Sequence, residues 1–266
     1  MEEFFDESDI TRAIVEETAK ELVDFSEVDV VIVGAGSSGL TAAFYLAKKG
    51  KKTLVLERRL SLGGGIGGGG MLFHKIVIAD YAKDILDDIG CKYLKYKGNE
   101  NILITDTSEL MLKLGNAAIN AGAKILFGIS VEDVIFRENP LRISGVVIQW
   151  SAVPLAGLHV DPLMIKSKAV IDATGHDAEV VRIATKKIKE LKTNVIGEKS
   201  MYSYKGEKIL VEKTGEVVPG LYATGMAVAA IYNLPRMGPI FSSMLLSGRK
   251  VAEIVSHNIK DNLSNL

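Results

Sequence analysis

The chain of 266 residues has a single cysteine, Cys91, one tryptophan and six prolines. One thiol excludes an intramolecular disulfide and any cysteine-rich metal or cluster site. Charge of one sign is also lacking: 32 Lys and Arg against 33 Asp and Glu leave a net charge of -1, which gives no electrostatic case for nucleic acid. No apolar run approaches the roughly 20 residues needed to span a membrane. The first residues, with Glu2, Glu3, Asp6, Glu7 and Asp9, are acidic where a signal or transit peptide would be basic, which points to the cytoplasm. The length suits one large domain over 1–266, long enough to bury a substantial core.

Glycine, by contrast, is plentiful at 26 residues, and its first cluster is the most informative part of the chain. An apolar run, Val30-Val-Ile-Val33, enters Gly34-Ala-Gly-Ser-Ser-Gly39, and Glu57 closes a second apolar run from Thr53 to Leu56. This reads as a βαβ dinucleotide-binding unit over 29–58. Gly34 permits the tight turn, Gly36 lets backbone N–H groups approach a pyrophosphate, and Gly39 lets the helix pack closely on the strand. The positive end of that helix then faces the phosphates.

Periodicity predicts an amphipathic helix over 9–25, with Ile10, Ile14, Leu22 and Phe25 near one face, suited to packing or a subunit contact. The βαβ unit follows as strand 29–33, helix 38–49 and strand 53–57. Residues 63–70, almost all glycine, are expected to form no regular element, because glycine loses too much backbone entropy there. Further helices are expected within 73–90 and over 106–121. Strands are expected at 124–128, 131–136 and 142–150, the last two a hairpin through Asn139-Pro140. The second half, 168–266, reads as strand 168–173, helix 176–192, strand 218–224 and a closing helix 239–259. The fold class is therefore α/β: a Rossmann-like, three-layer dinucleotide-binding core with an inserted mixed β-sheet within 59–167.

Two late segments, Val170-Ile-Asp-Ala-Thr-Gly-His176 and Gly220-Leu-Tyr-Ala-Thr-Gly-Met226, each run a strand into Ala-Thr-Gly. With the first βαβ unit they resemble the two-dinucleotide-fold architecture of flavoprotein reductases. Such proteins usually carry Gly-Asp before the last helix, the acid binding the ribityl chain. Here Met226 follows Gly225, and methionine cannot supply that hydrogen bond. The 63–70 loop also lacks the bulk to wall an isoalloxazine ring.

The glycine turn, Glu57-Arg58, the 63–70 loop, Leu158-His-Val-Asp-Pro162, Ala173-Thr-Gly-His-Asp177 and Tyr232-Asn-Leu-Pro-Arg-Met-Gly-Pro239 together resemble the thiamine thiazole synthase family over nearly the whole chain. The resemblance implies that NAD is a co-substrate and is consumed. Nicotinamide leaves, the ribose isomerises to a ketone, glycine condenses with it, sulfur is added, and cyclisation gives an adenylated thiazole carboxylate. In the eukaryotic branch a cysteine before the Asp-Pro step surrenders its sulfur. His159 stands at that position here, and Cys91 matches no family donor. The likeness is thus to the archaeal-type branch, which turns over with external sulfide and Fe(II), and whose members are homo-octamers.

The same resemblance assigns individual residues. Asp161 and His176 match the iron ligands, with the site completed across a subunit interface; a carboxylate and an imidazole suit Fe(II) and leave coordination positions open. By spacing alone, Asp161 is equally a turn acid and His176 a helix cap. His159 is read as a contact to NAD or as an acid or base. Glu57 is expected to accept from the ribose hydroxyls of adenosine. Arg58 lies over adenine, reaches a phosphate or forms an end-of-strand salt bridge. Ser38 and Gly65 match NAD contacts, and Val131 offers backbone groups to adenine. Met226 lies beside the ribose end, and Arg236 matches the arginine that holds glycine by its carboxylate. The competing classes are an FAD-dependent oxidoreductase, an isomerase of phosphorylated ribose, and a non-catalytic NAD-binding or metal-storage protein.

Overall fold

The computed structural model describes residues 4–261. The first helix, α1 (Glu7–Asp24), opens on a capping box in which Asp6 accepts from the Ser8 and Asp9 N–H groups and Asp9 accepts from Asp6 N–H. None of its residues is buried, and Ile10 and Ile14 face solvent. β1 (Glu27–Val33), α2 (Ser37–Lys48) and β2 (Thr53–Glu57) then form the anticipated βαβ unit. The glycine loop holds a single 3-10 turn at Ile66–Gly68, pinned by the buried Ile66 side chain, which supplies the apolar anchor that glycine alone lacks.

Between 73 and 90 the chain forms β3 (Lys75–Ala79), a 3-10 turn and only a short helix, α3 (Lys83–Asp88). The alternation of buried Ile76 and Ile78 marks the strand that the helical reading overlooked. β4 (Leu94–Lys95) and β5 (Ile102–Asp106) complete an antiparallel sheet in the order β3-β5-β4. Next come α4 (Thr107–Asn120), β6 (Lys124–Phe127), and the hairpin β7 (Ile129–Glu138) and β8 (Leu141–Trp150). A turn of helix, α5 (Ala152–Leu155), precedes β9 (Leu163–Asp172), which begins five residues earlier than expected because its first half pairs with β8.

The second half departs further from its sequence reading. The expected helix over 176–192 divides into a 3-10 turn at Gly175–Asp177 and α6 (Glu179–Lys187). α7 (Ser203–Lys213) and α8 (Met226–Tyr232) were not anticipated. The expected strand over 218–224 is a pair, β10 (Gly215–Val218) and β11 (Leu221–Ala223), turned at Pro219-Gly220, where Gly220 has φ +80°. The closing helix α9 (Ser242–Asp261) starts three residues late.

Eight strands make one mixed sheet. Its spine runs β10-β11-β9-β1-β2-β6, parallel from β11 through β6, and the β7–β8 hairpin joins it through β9. The period of two along β1 divides the core. Val30 and Ile32 pack with Val55 and Ile171 beneath α2, α4 and α9, whereas Val31 and Val33 pack with Leu54, Leu56 and Val170 against the hairpin, α6 and α8. No helix among the described residues is long and apolar enough to cross a membrane.

Glycines determine how closely the layers approach. Gly34 sits at φ +107°, and a Cβ there would meet Ala173 O at 2.5 Å; one on Gly39 would meet Gly34 O at 2.1 Å. Gly248 in α9 lies equally close to α2, its absent Cβ 2.4 Å from Ser38 O. A Cβ on Gly36 would meet nothing within 4 Å. We expect Gly39→Ala to lower stability in urea by at least about 1–3 kcal/mol through overpacking. Gly36→Ala should cost less than about 1 kcal/mol, the difference between glycine and alanine at an N-cap. Its loss should appear instead as at least tenfold weaker dinucleotide binding in calorimetry.

Candidate functional site

The parallel strands β1, β2, β9 and β11 end on the same side of the sheet, where ligands bind in open α/β sheets. Their C-terminal turns border a cavity of about 1290 Å³, larger than the roughly 300–1,000 Å³ typical of small-ligand sites. Ten of the residues singled out from sequence line it: Gly34, Gly36, Ser38, Glu57, Arg58, Gly65, Val131, His176, Met226 and Arg236. Gly39 lies beneath the turn, where it supports packing. Because α2 starts at Ser37 with no side-chain cap, its first N–H groups remain free to face an anion.

The acid closing β2 has a second task. Glu57 is buried and accepts from Ala35 N–H and Arg59 N–H, both at 2.9 Å, thereby bracing the glycine turn. A carboxylate has about four acceptor sites, so capacity for ribose hydroxyls remains. Arg58 lines the cavity while paired with Glu179, so the end-of-strand ion pair coexists with a position in the cavity wall. Burial pushes the Glu179 carboxyl up, against the opposing Arg58 charge.

A second buried acid organises the end of β9. Asp172 accepts from Thr174 N–H at 3.0 Å, Thr174 O–H at 2.7 Å and Val181 N–H at 2.9 Å. Thr174 Oγ1 in turn accepts from Glu179 N–H, so the turn that carries His176 is fixed to the start of α6. His176 is exposed in this turn, as is Asp177, and its Nδ1 meets Glu198. Neither Asp172 nor Glu198 was apparent as a site residue in sequence: the first is hidden in a strand and the second lies in a stretch without periodicity. Arg236 also lines the cavity, from the loop after α8, whose end is formed by Asn233 at φ +52°.

Asp161 and His159 are not brought into the cavity. Both are exposed in the segment between α5 and β9, and Asp161 precedes the strand that His176 follows. Ten extended residues at about 3.3 Å each separate the two positions along the chain. Among the described residues no cluster of three or more His, Cys, Asp or Glu could hold a metal ion. Exposed apolar side chains flank Asp161 in the chain, including Leu155, Leu158, Val160, Leu163 and Met164. Met71 and Phe73, which line the cavity, and Leu72 between them are also exposed, Met71 and Leu72 at positive φ of 52° and 63°.

Burial raises the Asp172 carboxyl above the usual carboxylate range, although its hydrogen bonds oppose the shift. A raised folded value contributes stability that is full below the unfolded value of about 3.9 and lost as pH rises through the folded one. Asp172→Asn should cost about 1–3 kcal/mol by losing an acceptor for a buried N–H. That deficit should narrow from pH 4 to pH 7 in parallel urea titrations, since only the wild type titrates.

A model of the Thi4 family matches residues 11–241. The chain is 63% identical over 254 residues to the thiamine thiazole synthase of Archaeoglobus fulgidus, covering 96% of each chain. It is 59% identical over 261 residues to that of Metallosphaera sedula, covering 98% of this chain and 96% of the relative. The fold matches the crystal structure of Thermovibrio ammonificans THI4 with a TM-score of 0.93 and 41% identity, over 97% of this chain and 100% of that one. By its sequence over nearly its whole length and by its fold, the chain belongs to the Thi4 family.

Proposed function

We propose that the chain is a thiamine thiazole synthase that converts NAD, glycine and sulfide into an adenylated thiazole carboxylate with release of nicotinamide, acting in the cytoplasm. The observation that carries this reading is one cavity bordered by the glycine turn, Glu57, His176 and Arg236, in a chain 55–63% identical to thiamine thiazole synthases over nearly its full length. The turn and the start of α2 hold the pyrophosphate, and Glu57 holds the adenosine ribose. Val131 meets adenine, Gly65 and Ser38 flank the phosphates, and Met226 borders the ribose that loses nicotinamide. Arg236 pairs with the carboxylate of glycine and aims its amine at the ribose-derived ketone. The flavin alternative is disfavoured by Met226, which lacks the acid needed at the start of α8.

The sulfur comes from outside the chain. Cys91 is 5% exposed, its thiol packed by Thr105 Oγ1, and burial pushes it up, away from the thiolate form that would react. His159 occupies the donor cysteine's place and serves as a contact to NAD or as a proton carrier. Fe(II), if held, would supply a template and Lewis acid for sulfide. His176 of one subunit and Asp161 of a neighbouring copy are suited to hold it: both are exposed, and the two are carried at opposite ends of β9. The exposed apolar surface around Asp161 and at the cavity mouth supports assembly into a homo-octamer with shared sites.

Anaerobic incubation with NAD, glycine, sulfide and Fe(II) should yield more than one equivalent of adenylated thiazole per chain by mass spectrometry. Omitting sulfide or iron should abolish that yield; intact NAD in the complete mixture would refute the reading. Asp161→Ala and His176→Ala should each be inactive, yet oligomers reassembled from an equal mixture should recover about one quarter of wild-type activity, as random pairing at a shared interface requires. No recovery despite verified mixing would place both ligands on one subunit.

A further inference from the structure

We propose that Glu198 is a positioning residue that fixes the ring of His176 and locks it to the loop carrying Arg236. The inference rests on the reading of His176 as a metal ligand, but its geometry stands without the metal. Glu198 Oε1 meets His176 Nδ1, and the acid is the fixed partner: its side chain is 17% exposed against 55% for the imidazole.

The backbone on either side of Glu198 is bound to the other half of the site. Ile196 N–H and Gly197 N–H donate to Ala230 O, and Asn233 Nδ2 donates to Gly197 O at 2.7 Å. Lys199 N–H donates to Leu234 O, Arg236 N–H donates to Lys199 O, and Tyr202 N–H donates to Arg236 O. Glu198 therefore moves with the Arg236 loop, while His176 belongs to the turn that ends β9. The carboxylate is the side-chain link between the two.

A neutral imidazole whose Nδ1–H donates to a carboxylate keeps its lone pair on Nε2. That nitrogen is the one left to a metal or substrate in the cavity. Histidine ligands are commonly oriented in this way, and loss of the orienting group typically weakens metal binding by 10–100-fold. Glutamine at 198 can still accept through its amide oxygen, whereas alanine cannot.

The chain has four histidines, so His176 can be assigned in long-range proton–nitrogen spectra by comparison with His176→Gln. In full-length, metal-free protein with neutral imidazole, the wild type should show the Nδ1–H tautomer. Glu198→Ala should shift it toward Nε2–H, and Glu198→Gln should restore Nδ1–H. Co(II) titration, followed by its absorption bands, should show affinity falling about 10–100-fold in Glu198→Ala and recovering in part in Glu198→Gln, with dinucleotide affinity unchanged. If Glu198→Ala does not fold, Glu198→Asp, which withdraws the carboxylate by one methylene, should move the tautomer in the same direction. An unchanged tautomer in the folded variant would overturn the proposal. A wild type that binds no Co(II) would count against the metal reading alone, because the tautomer still decides the role of Glu198.

Discussion

At the centre of the molecule two strand ends approach so closely that no side chain fits between them. The turn after β1 passes the end of β9 with the absent Cβ of Gly34 2.5 Å from Ala173 O, and Gly39 seals the same junction against Gly34 O. A parallel sheet brings adjacent strands to about 4.8 Å, but the turns beyond them usually diverge. Here they remain in contact. As a result the start of α2, which is suited to phosphate, and the Thr174–Asp177 turn, which carries His176, border one cavity.

Buried acids hold that arrangement in place. Glu57 bonds the glycine turn to the end of β2, and Asp172 bonds the end of β9 to α6. Glu207, also buried, accepts from Ser243 N–H and O–H and so secures the beginning of α9. A carboxylate removed from water is costly unless its oxygens find donors, and each of these finds backbone N–H groups that would otherwise lie unpaired at a strand or helix end. Their purpose is chiefly architectural, although Glu57 also presents itself to the ligand space. Sequence inspection sees only the acid, so the ligand role and the bracing role look alike until the partners are known.

The cavity and the two residues at the ends of β9 are organised differently. The cavity lining, from Gly34 to Arg236, is assembled within one chain. Asp161 and His176 do not share it: the one precedes β9 and the other follows it. Exposed apolar side chains lie near Asp161 in the chain and beside the glycine loop.

The sequence by itself determined the βαβ unit, the hairpin and the helix over α4, because their hydrophobic periods and glycine or proline stops are local. It also determined that Cys91 is the one thiol of the chain, so no intramolecular disulfide can form. Tertiary structure alone decided the rest. β9 extends to Leu163 because β8 supplies partners; the 218–224 run divides because Gly220 turns it; α6 ends early because the segment after it is drawn to the loop following α8. Glu198 could not be recognised as the partner of His176, being 22 residues away in an aperiodic stretch. Period and spacing report which face a residue occupies within its own element, whereas a side chain's partner depends on how separate elements pack, and no local pattern records that.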